Sequence, residues 1–181
     1  MSTRGFIGWV TQGTEKITYN HSDSYPSWLG LRMLAHAKAV TEDDARKAHE
    51  LRLVDECETP GAADRKRLAP FHRNVSSGHD WYSYLRGTQG DPALILEAGV
   101  ATDGSSCPSD SLFMEWGYVV DFDNQAFEVY YGFQQAPHSQ GRFAGRHDGG
   151  EWYPVALVAS WPLGQLQGMT DEDFMAALAE D

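Results

Sequence analysis

The chain has 181 residues, with 14 Lys and Arg against 26 Asp and Glu, and its formal net charge is -12. A surface of this sign repels phosphate backbones, which disfavours nucleic acid as the main partner. The length suits one domain over residues 1–181, and a hydrophobic share of 41% is enough for a buried core. No apolar run approaches the roughly 18 residues of a membrane span, and a signal peptide's apolar core is missing. We therefore expect a cytoplasmic protein without membrane contact.

The chain begins with a predicted β-hairpin. Its two strands are rich in β-branched and aromatic residues and cover Arg4 to Thr11 (RGFIGWVT) and Glu15 to Asn20 (EKITYN). Gln12 and Gly13 lie near the middle of the intervening turn. The length of this turn decides which residues of the two strands face each other.

Helices are predicted through the middle third of the chain. Pro26 suits the first turn of a helix from about Ser27 to Val40, and Thr41 with Asp44 resembles a capping box that opens the next. LRLVDE (51–56) is interpreted as a short strand. Three further short helices are predicted to begin at Thr59 with Pro60, to cover Asp80 to Gly87, and to run from Asp91 with Pro92 to Gly99.

The last third returns to strands. SLFMEWGYVVDFD and QAFEVYYGF meet at Asp123 and Asn124 as a second hairpin, and WYPVALVASW (152–161) predicts another strand after a loop from Gln134 to Gly150. Thr170 with Asp173 is expected to cap a terminal helix. The pattern therefore predicts an α+β fold, in which an antiparallel sheet from the N- and C-terminal hairpins is covered by helices from the middle third.

Polar side chains are concentrated where the first hairpin ends, in YNHSDSYPSWLG (Tyr19 to Gly30). A two-residue turn places Arg4 opposite His21, and a four-residue turn places it opposite Asp23. Either register brings Arg4, His21 and Asp23 to one face, where they continue the row of Phe6, Ile17 and Tyr19. A three-residue turn instead moves Arg4 to the side of Asn20 and Ser22.

Two interpretations of this cluster stay open. An Arg4–Asp23 pair would let Asp23 orient His21 as a base or ligand, which is typical of a catalytic or binding site. Alternatively, the pair only pins the end of the sheet, with Asp23 capping the following helix and His21 bonded to the backbone.

MSTRGFIGWV, GTEKITYNHSDSYPSWLG and EWGYVVDFDNQAFEVYYGFQQAPHSQGRFAG together resemble a family of uncharacterised proteins of actinobacteria and their phages. That family shares a TRG start and a YNHxDSYPxxLG segment. The resemblance covers most of the chain and implies a source rather than an activity. It makes Thr3, Arg4, Asn20, His21, Asp23, Tyr25 and Pro26 family features without giving them roles.

One functional hypothesis is a binding module for a small polar ligand or a host protein. A pocket of this kind combines a few aimed polar groups with apolar walls. The candidate ligand-binding residues are Arg4, Asn20, His21, Asp23, Tyr25, Trp81 and Arg142, with Trp116 as a further aromatic wall. A sequestered metabolite or signalling nucleotide would suit a phage-type protein, and the sequence identifies no cofactor.

Two enzyme hypotheses are the alternatives. Removal of Met1 would expose Ser2 as the nucleophile of an N-terminal-nucleophile hydrolase, with Asn20, His21 or Asp23 near its amine. A metal-dependent hydrolase would instead use His21 and Asp23 as ligands, joined by Glu115, Asp80 or His79. Cys57 and Cys107 have no metal-ligand spacing and are expected to be free thiols.

The glycine-rich loop from Gln134 to Gly150 also leaves two interpretations open. Arg142 and Arg146 lie close together in it and could fold over an anion. A solvated loop without function is the other reading.

Overall fold

The structure is a computed structural model that describes residues 3–72 and 79–179. The strands of the described residues are β1 (Gly5–Thr11), β2 (Thr14–Asn20), β3 (Arg52–Val54), β4 (Val100–Thr102), β5 (Trp116–Asp121), β6 (Ala126–Tyr131) and β7 (Ala156–Pro162). Their α-helices are α1 (Leu31–Ala39), α2 (Glu42–Glu50), α3 (Ala62–Leu68), α4 (Trp81–Leu85), α5 (Pro92–Ala98) and α6 (Asp171–Leu178). None of these helices is long and apolar enough to cross a membrane.

Five strands form the main sheet in the order β2-β1-β5-β6-β7. Every neighbouring pair is antiparallel except β1 and β5, which run parallel. The predicted α+β class is confirmed, with a mostly antiparallel sheet from the two ends of the chain and helices between them. β3 and β4 form a separate two-stranded parallel sheet. β4 was not predicted, because three residues are too short to show a strand period.

The first hairpin has a two-residue turn, since Thr11 pairs with Thr14. Gln12 and Gly13 have φ values of 51° and 70°. Positive φ at both central residues is typical of a type I′ turn, a common two-residue hairpin turn. The carboxylate of Asp123, at the tip of the second hairpin, accepts hydrogen bonds from their backbone amides at 2.7 and 2.8 Å. Of the three turn lengths that the sequence left open, the structure therefore has the two-residue one, and a side chain from the neighbouring hairpin holds this turn.

β1 is buried along its whole length. Ile7 and Trp9 face the helices and belong to the larger core, which includes Met33 and Leu34 of α1. The opposite face of the sheet, which carries Phe6, has a second core. Side chains from α1, α2, α5 and α6 belong to the larger core, so these helices cover the first face.

The second face is covered by the loop that follows β6. Phe143 from this loop is fully buried and packs edge-on against Phe6, with ring centroids 5.7 Å apart. The interpretation of residues 134–150 as a solvated loop is therefore wrong for this part of the segment, because the loop supplies an aromatic core residue.

Several element bounds differ from the predictions. The helix predicted from Ser27 begins with one π-type turn, Pro26–Gly30, before α1. Gly30 allows this close packing, because a Cβ at Gly30 would lie 3.0 Å from the Tyr118 hydroxyl. β5 starts at Trp116 rather than Ser111, since the chain before it turns and the Met114 amide bonds the Asp110 carbonyl at 2.9 Å.

Replacing Gly117 with alanine tests the contact across β1 and β5. A Cβ at Gly117 would lie 2.1 Å from the Phe6 ring, which is fully buried. We expect Gly117→Ala to lower the free energy of unfolding by about 2 kcal/mol, the usual cost of overpacking a core. Urea denaturation measures the change. Gly168→Ala is the matched control, since no atom lies within 4 Å of its added Cβ, and equal effects of the two changes would contradict the described pairing.

Candidate functional site

The end of the first hairpin does not gather Arg4, His21 and Asp23 as predicted. Gly5 pairs with Asn20, so Arg4 and His21 flank the last pair of the ladder. Asp23 has a φ of 57°, which turns the chain out of the strand direction and leaves the side chain exposed. Over the described residues, no ion pair links Arg4 with Asp23, and Asp23 does not cap the following helix. The predicted three-residue cluster is therefore wrong at Asp23.

Asn20 holds the turn instead of facing a ligand. Its side chain is 4% exposed and donates to the Ser22 carbonyl at 2.6 Å and to the Ser24 hydroxyl at 2.7 Å. The Ser24 carbonyl in turn accepts from the buried Tyr118 hydroxyl at 2.9 Å. These bonds satisfy polar groups of the turn, and they tie it to β5.

Tyr19, rather than Asp23, is the residue that interacts with both Arg4 and His21. Its hydroxyl lies 3.4 Å from His21 Nδ1, and the two rings meet edge to face at 81°. Burial raises the pKa of Tyr19, and the nearby Arg4 guanidinium opposes this through its charge and hydrogen bonding. The hydroxyl is therefore protonated at neutral pH and is held by two basic side chains.

Tyr19 also lines two adjoining depressions, which we call together the Tyr19 cleft. The wide arm has a volume of about 520 Å³. It is lined by Tyr19, Asp55, Glu56, Thr102, Asp103, Ser105 and Ser106. The narrow arm, about 20 Å³, shares Tyr19, Glu56 and Thr102 with it and continues between Thr18, Tyr82, Leu85, Arg86, Thr88, Gln89, Ile95 and Ala101.

The small parallel sheet of β3 and β4 positions the acidic residues of the cleft. β3 and β4 run in the same direction, so the residues that follow them, Asp55 and Asp103, emerge at the same edge. The Asp103 amide donates to the Val54 carbonyl at 2.8 Å, which holds the two loop starts together. A Cβ at Gly104 would lie 2.8 Å from the Tyr19 amide, so glycine lets this loop pack against β2.

The two arms of the cleft differ in charge, since three carboxylates line the wide arm, whereas Glu56 and Arg86 both line the narrow arm. Asp55, Glu56 and Asp103 form no ion pair with any Lys or Arg that the structure describes. Arg86, in the narrow arm, also lacks a carboxylate partner within the described residues. Its guanidinium donates to Gln89 Oε1 at 2.8 Å and lies 5.2 Å from the centre of the Tyr82 ring.

Trp81 and Tyr25 do not line the cleft. Trp81 is 4% exposed and packs into a third core, with the Arg52 guanidinium 5.3 Å from the centre of its ring. Its neighbour Tyr82 forms the wall instead, because adjacent helical residues point in different directions. Tyr25 is 37% exposed beside the π-type turn. Trp116 packs against Tyr131, with ring centroids 4.8 Å apart.

Arg142 is not available to a ligand in this structure. Its guanidinium donates to Glu128 at 2.8 and 2.9 Å and pairs with Asp121, whose side chain is completely buried. Burial raises the pKa of Asp121, but hydrogen bonds from Asn124 and Arg142 outweigh this effect and the net pKa is lowered. The loop therefore binds carboxylates of its own sheet, and the predicted anion site at Arg142 is not formed.

The described residues show no arrangement of side chains that supports either enzyme hypothesis. Ser2 lies outside the described residues, so its role stays a prediction. No group of three or more His, Cys, Asp or Glu that could hold a metal ion occurs in residues 3–72 and 79–179. Asp80, one candidate ligand, caps α4 by accepting from the Ser83 amide at 2.9 Å.

Both cysteines are free, as predicted. Cys57 is exposed, whereas burial raises the pKa of Cys107 to about 12, with smaller contributions from Asp110 and Asp103. The Cys107 thiol is therefore protonated at neutral pH and is a poor nucleophile.

No family model, curated protein or solved structure matches the chain significantly. The chemistry of the Tyr19 cleft is therefore the basis for assigning a function. Sequence reasoning found Tyr19 only as a member of an apolar row and missed Asp55, Glu56, Asp103, Tyr82 and Arg86 as cleft residues. An acidic pair at the end of a predicted strand, Asp55 and Glu56, was the available signal.

We expect Arg142→Met to lower the free energy of unfolding by about 3 kcal/mol or more, because it leaves the buried Asp121 carboxylate without its cation. Urea denaturation at neutral pH measures the loss. Arg46→Met is the control, since the Arg46 side chain is 56% exposed and its ion pairs lie on the surface, where solvent screens them, so its loss should have a much smaller effect. Adding Asp121→Asn to Arg142→Met should recover part of the loss. A loss of less than about 1 kcal/mol in Arg142→Met would contradict the described network.

Proposed function

We propose that the protein is a binding module that holds a small polar ligand in the Tyr19 cleft. The observation that carries this proposal is an open wide arm of about 520 Å³ whose carboxylates form no ion pairs within the described residues. Cavities of roughly 300–1,000 Å³ are the usual size for small-molecule sites. Carboxylates on such a wall that are not neutralised by a Lys or Arg of the described residues remain available to a ligand.

The polar groups of the cleft suit binding better than catalysis. The Thr18 and Thr102 hydroxyls lie 3.3 Å apart, and each is the hydrogen-bond partner of the other. Burial raises the pKa of Tyr19, so its hydroxyl is not the phenolate that a strong base would require. These groups can orient a ligand by hydrogen bonding, which is the work of a binding site.

The cleft is also held in shape by the structure around it. The Tyr82 amide donates to the Glu56 carbonyl at 3.3 Å, which joins the narrow-arm wall to the acidic wall. The Gly104 amide donates to the Ile17 carbonyl at 2.9 Å and fixes the loop after β4 to β2. Pre-formed walls reduce the entropy lost when a ligand binds.

The resemblance to proteins of actinobacteria and their phages supports a specific role for such binding. A phage protein that holds a host metabolite removes it from the host without converting it. We propose sequestration on this ground, with the host molecule entering and leaving the cleft unchanged.

Equilibrium dialysis against a mixture of polar metabolites tests the proposal. We expect the wild-type protein to retain at least one compound, which mass spectrometry after denaturation recovers unaltered. Tyr82→Ala should weaken retention by about tenfold or more, because base and amine stacking on an aromatic wall contributes about 1–3 kcal/mol. Tyr25→Ala is the matched control, since both side chains are 37% exposed and only Tyr82 lines the cleft.

Three outcomes would contradict the proposal. The wild-type protein retains no compound, or both tyrosine variants lose the retained compound equally. The third is recovery of a hydrolysed product in place of the compound, which would favour the hydrolase alternative.

A further inference from the structure

We infer that His36 and Trp9 form an acid-sensitive latch between α1 and β1, which loosens α1 from the sheet when the His36 imidazole takes up a proton. The latch depends on one hydrogen bond and on the groups that surround it. No ligand takes part in this contact, so failure of the proposed binding function would leave the latch intact.

The hydrogen bond between the two side chains determines the protonation state of His36. The Trp9 indole Nε1–H donates to His36 Nε2 at 3.2 Å, and the two rings meet edge to face at 87°. An indole nitrogen can only donate, so Nε2 is an unprotonated acceptor and the imidazole proton is on Nδ1. His36 is therefore neutral when α1 is seated on β1.

A protonated His36 cannot keep this contact. Both nitrogens of an imidazolium carry hydrogen, so the Nε2–H would point at the indole N–H. Trp9 is fully buried in the larger core with Met33 and Leu34 of α1, and His36 is the acceptor that the described residues offer to its indole. A buried donor without an acceptor destabilises the fold. Movement of α1 away from β1 would separate the two N–H groups and admit water to the indole.

The groups packed around His36 set the direction of its pKa. Burial lowers the pKa, Asp44 of α2 and Asp91 at the start of α5 raise it through their charges, and the net pKa is lowered. The other segments that pack against α1 or carry Trp9, which are β1 and residues 26–30 and 163–168, have no titratable side chain. Exclusion from water therefore outweighs the two carboxylates and favours the neutral imidazole.

Acidification consequently lowers the stability of the fold. In the unfolded chain His36 takes up a proton near its ordinary pKa of about 6.5, whereas the folded protein resists protonation until a lower pH. Above about pH 6.5 the neutral imidazole makes its full contribution to stability. Between this pH and the lower folded pKa, the unfolded chain binds more protons than the folded chain, so stability falls as pH falls.

Two cations of α1 connect the latch to other segments of the chain. The Lys38 ammonium donates to the Met169 carbonyl at 2.6 Å, and the Arg32 guanidinium donates to the Gly90 carbonyl at 3.2 Å. Gln89, the residue before Gly90, lines the narrow arm of the Tyr19 cleft. Loosening of α1 therefore also loosens this wall of the cleft.

Urea denaturation of the wild type and His36→Gln, from about pH 7.5 to about pH 5, tests the latch. The glutamine amide oxygen can accept from Trp9 but does not titrate. We expect acid to raise the unfolding equilibrium constant of the wild type about fivefold or more beyond its rise in His36→Gln, the effect of a buried donor that loses its acceptor. His49→Gln is the matched control, since His49 is exposed on α2, and it should keep the acid sensitivity of the wild type.

The Trp9 indole signal in a ¹H–¹⁵N NMR titration gives a second readout. We expect this signal to shift as His36 takes up a proton, and to stay in place in His36→Gln. The signal of Trp161, which packs against Phe127 and Phe174, should stay in place in both proteins. Trp9→Phe keeps an aromatic ring and removes the donor, so it should reduce the acid sensitivity of the fold.

Equal acid sensitivity in the wild type and His36→Gln would overturn the latch, and so would a Trp9 signal that does not move while His36 titrates. If His36→Gln does not fold, Trp9→Phe and the wild-type titration decide between the same outcomes. Amide hydrogen exchange at Asp91, whose N–H donates to the Thr88 carbonyl at 3.1 Å, tests the link to the cleft. Its protection should fall in acid in the wild type and persist in His36→Gln, and unchanged protection in both would overturn this link.

Discussion

The parallel pairing of β1 with β5 is the constraint on which the rest of the structure depends. It joins the hairpin at the start of the chain to strands from its last third, and it leaves β1 buried along its whole length. Gly117 makes the contact possible, because the buried Phe6 ring occupies the space where any side chain would lie. With β1 in the middle of the sheet, the polar end of β2 lies beside the small parallel sheet, and the Tyr19 cleft forms between them.

The charges of the protein are divided into two kinds of environment. Asp121, Glu128 and Glu15 are neutralised by arginines from the loop after β6, and this network holds Phe143 against the sheet. The carboxylates of the Tyr19 cleft have no such cation among the described residues. The paired network stabilises the fold, whereas the open carboxylates that face the cavity are the groups on which the proposed ligand binding depends. The net charge of the sequence does not show which carboxylates are paired with arginines and which face the cleft.

Local patterns predicted the local structure. The hairpin that turns at Gln12 and Gly13 and the capping boxes at Thr41 and Thr170 depend on residues close in sequence, and all were found. Long-range features were not predictable in the same way. The left-handed backbone conformation of Asp23 turns the chain, so its side chain is not on the expected face. The orientation of α4 about its axis buries Trp81 and exposes Tyr82. The cleft requires the contact of β2 with β4, which no local pattern encodes.

Tyrosine-ring NMR with ¹³C-labelled tyrosine tests most directly whether the Tyr19 cleft is the binding site. The chain supplies its own controls, because Tyr118 and Tyr130 are fully buried in the core and Tyr25 lies outside the cleft. On addition of a retained compound, we expect the ring signals of Tyr19 and Tyr82 to shift together in proportion to occupancy, with the core signals unchanged. Saturable shifts at other tyrosines, with Tyr19 and Tyr82 unmoved, would contradict the account.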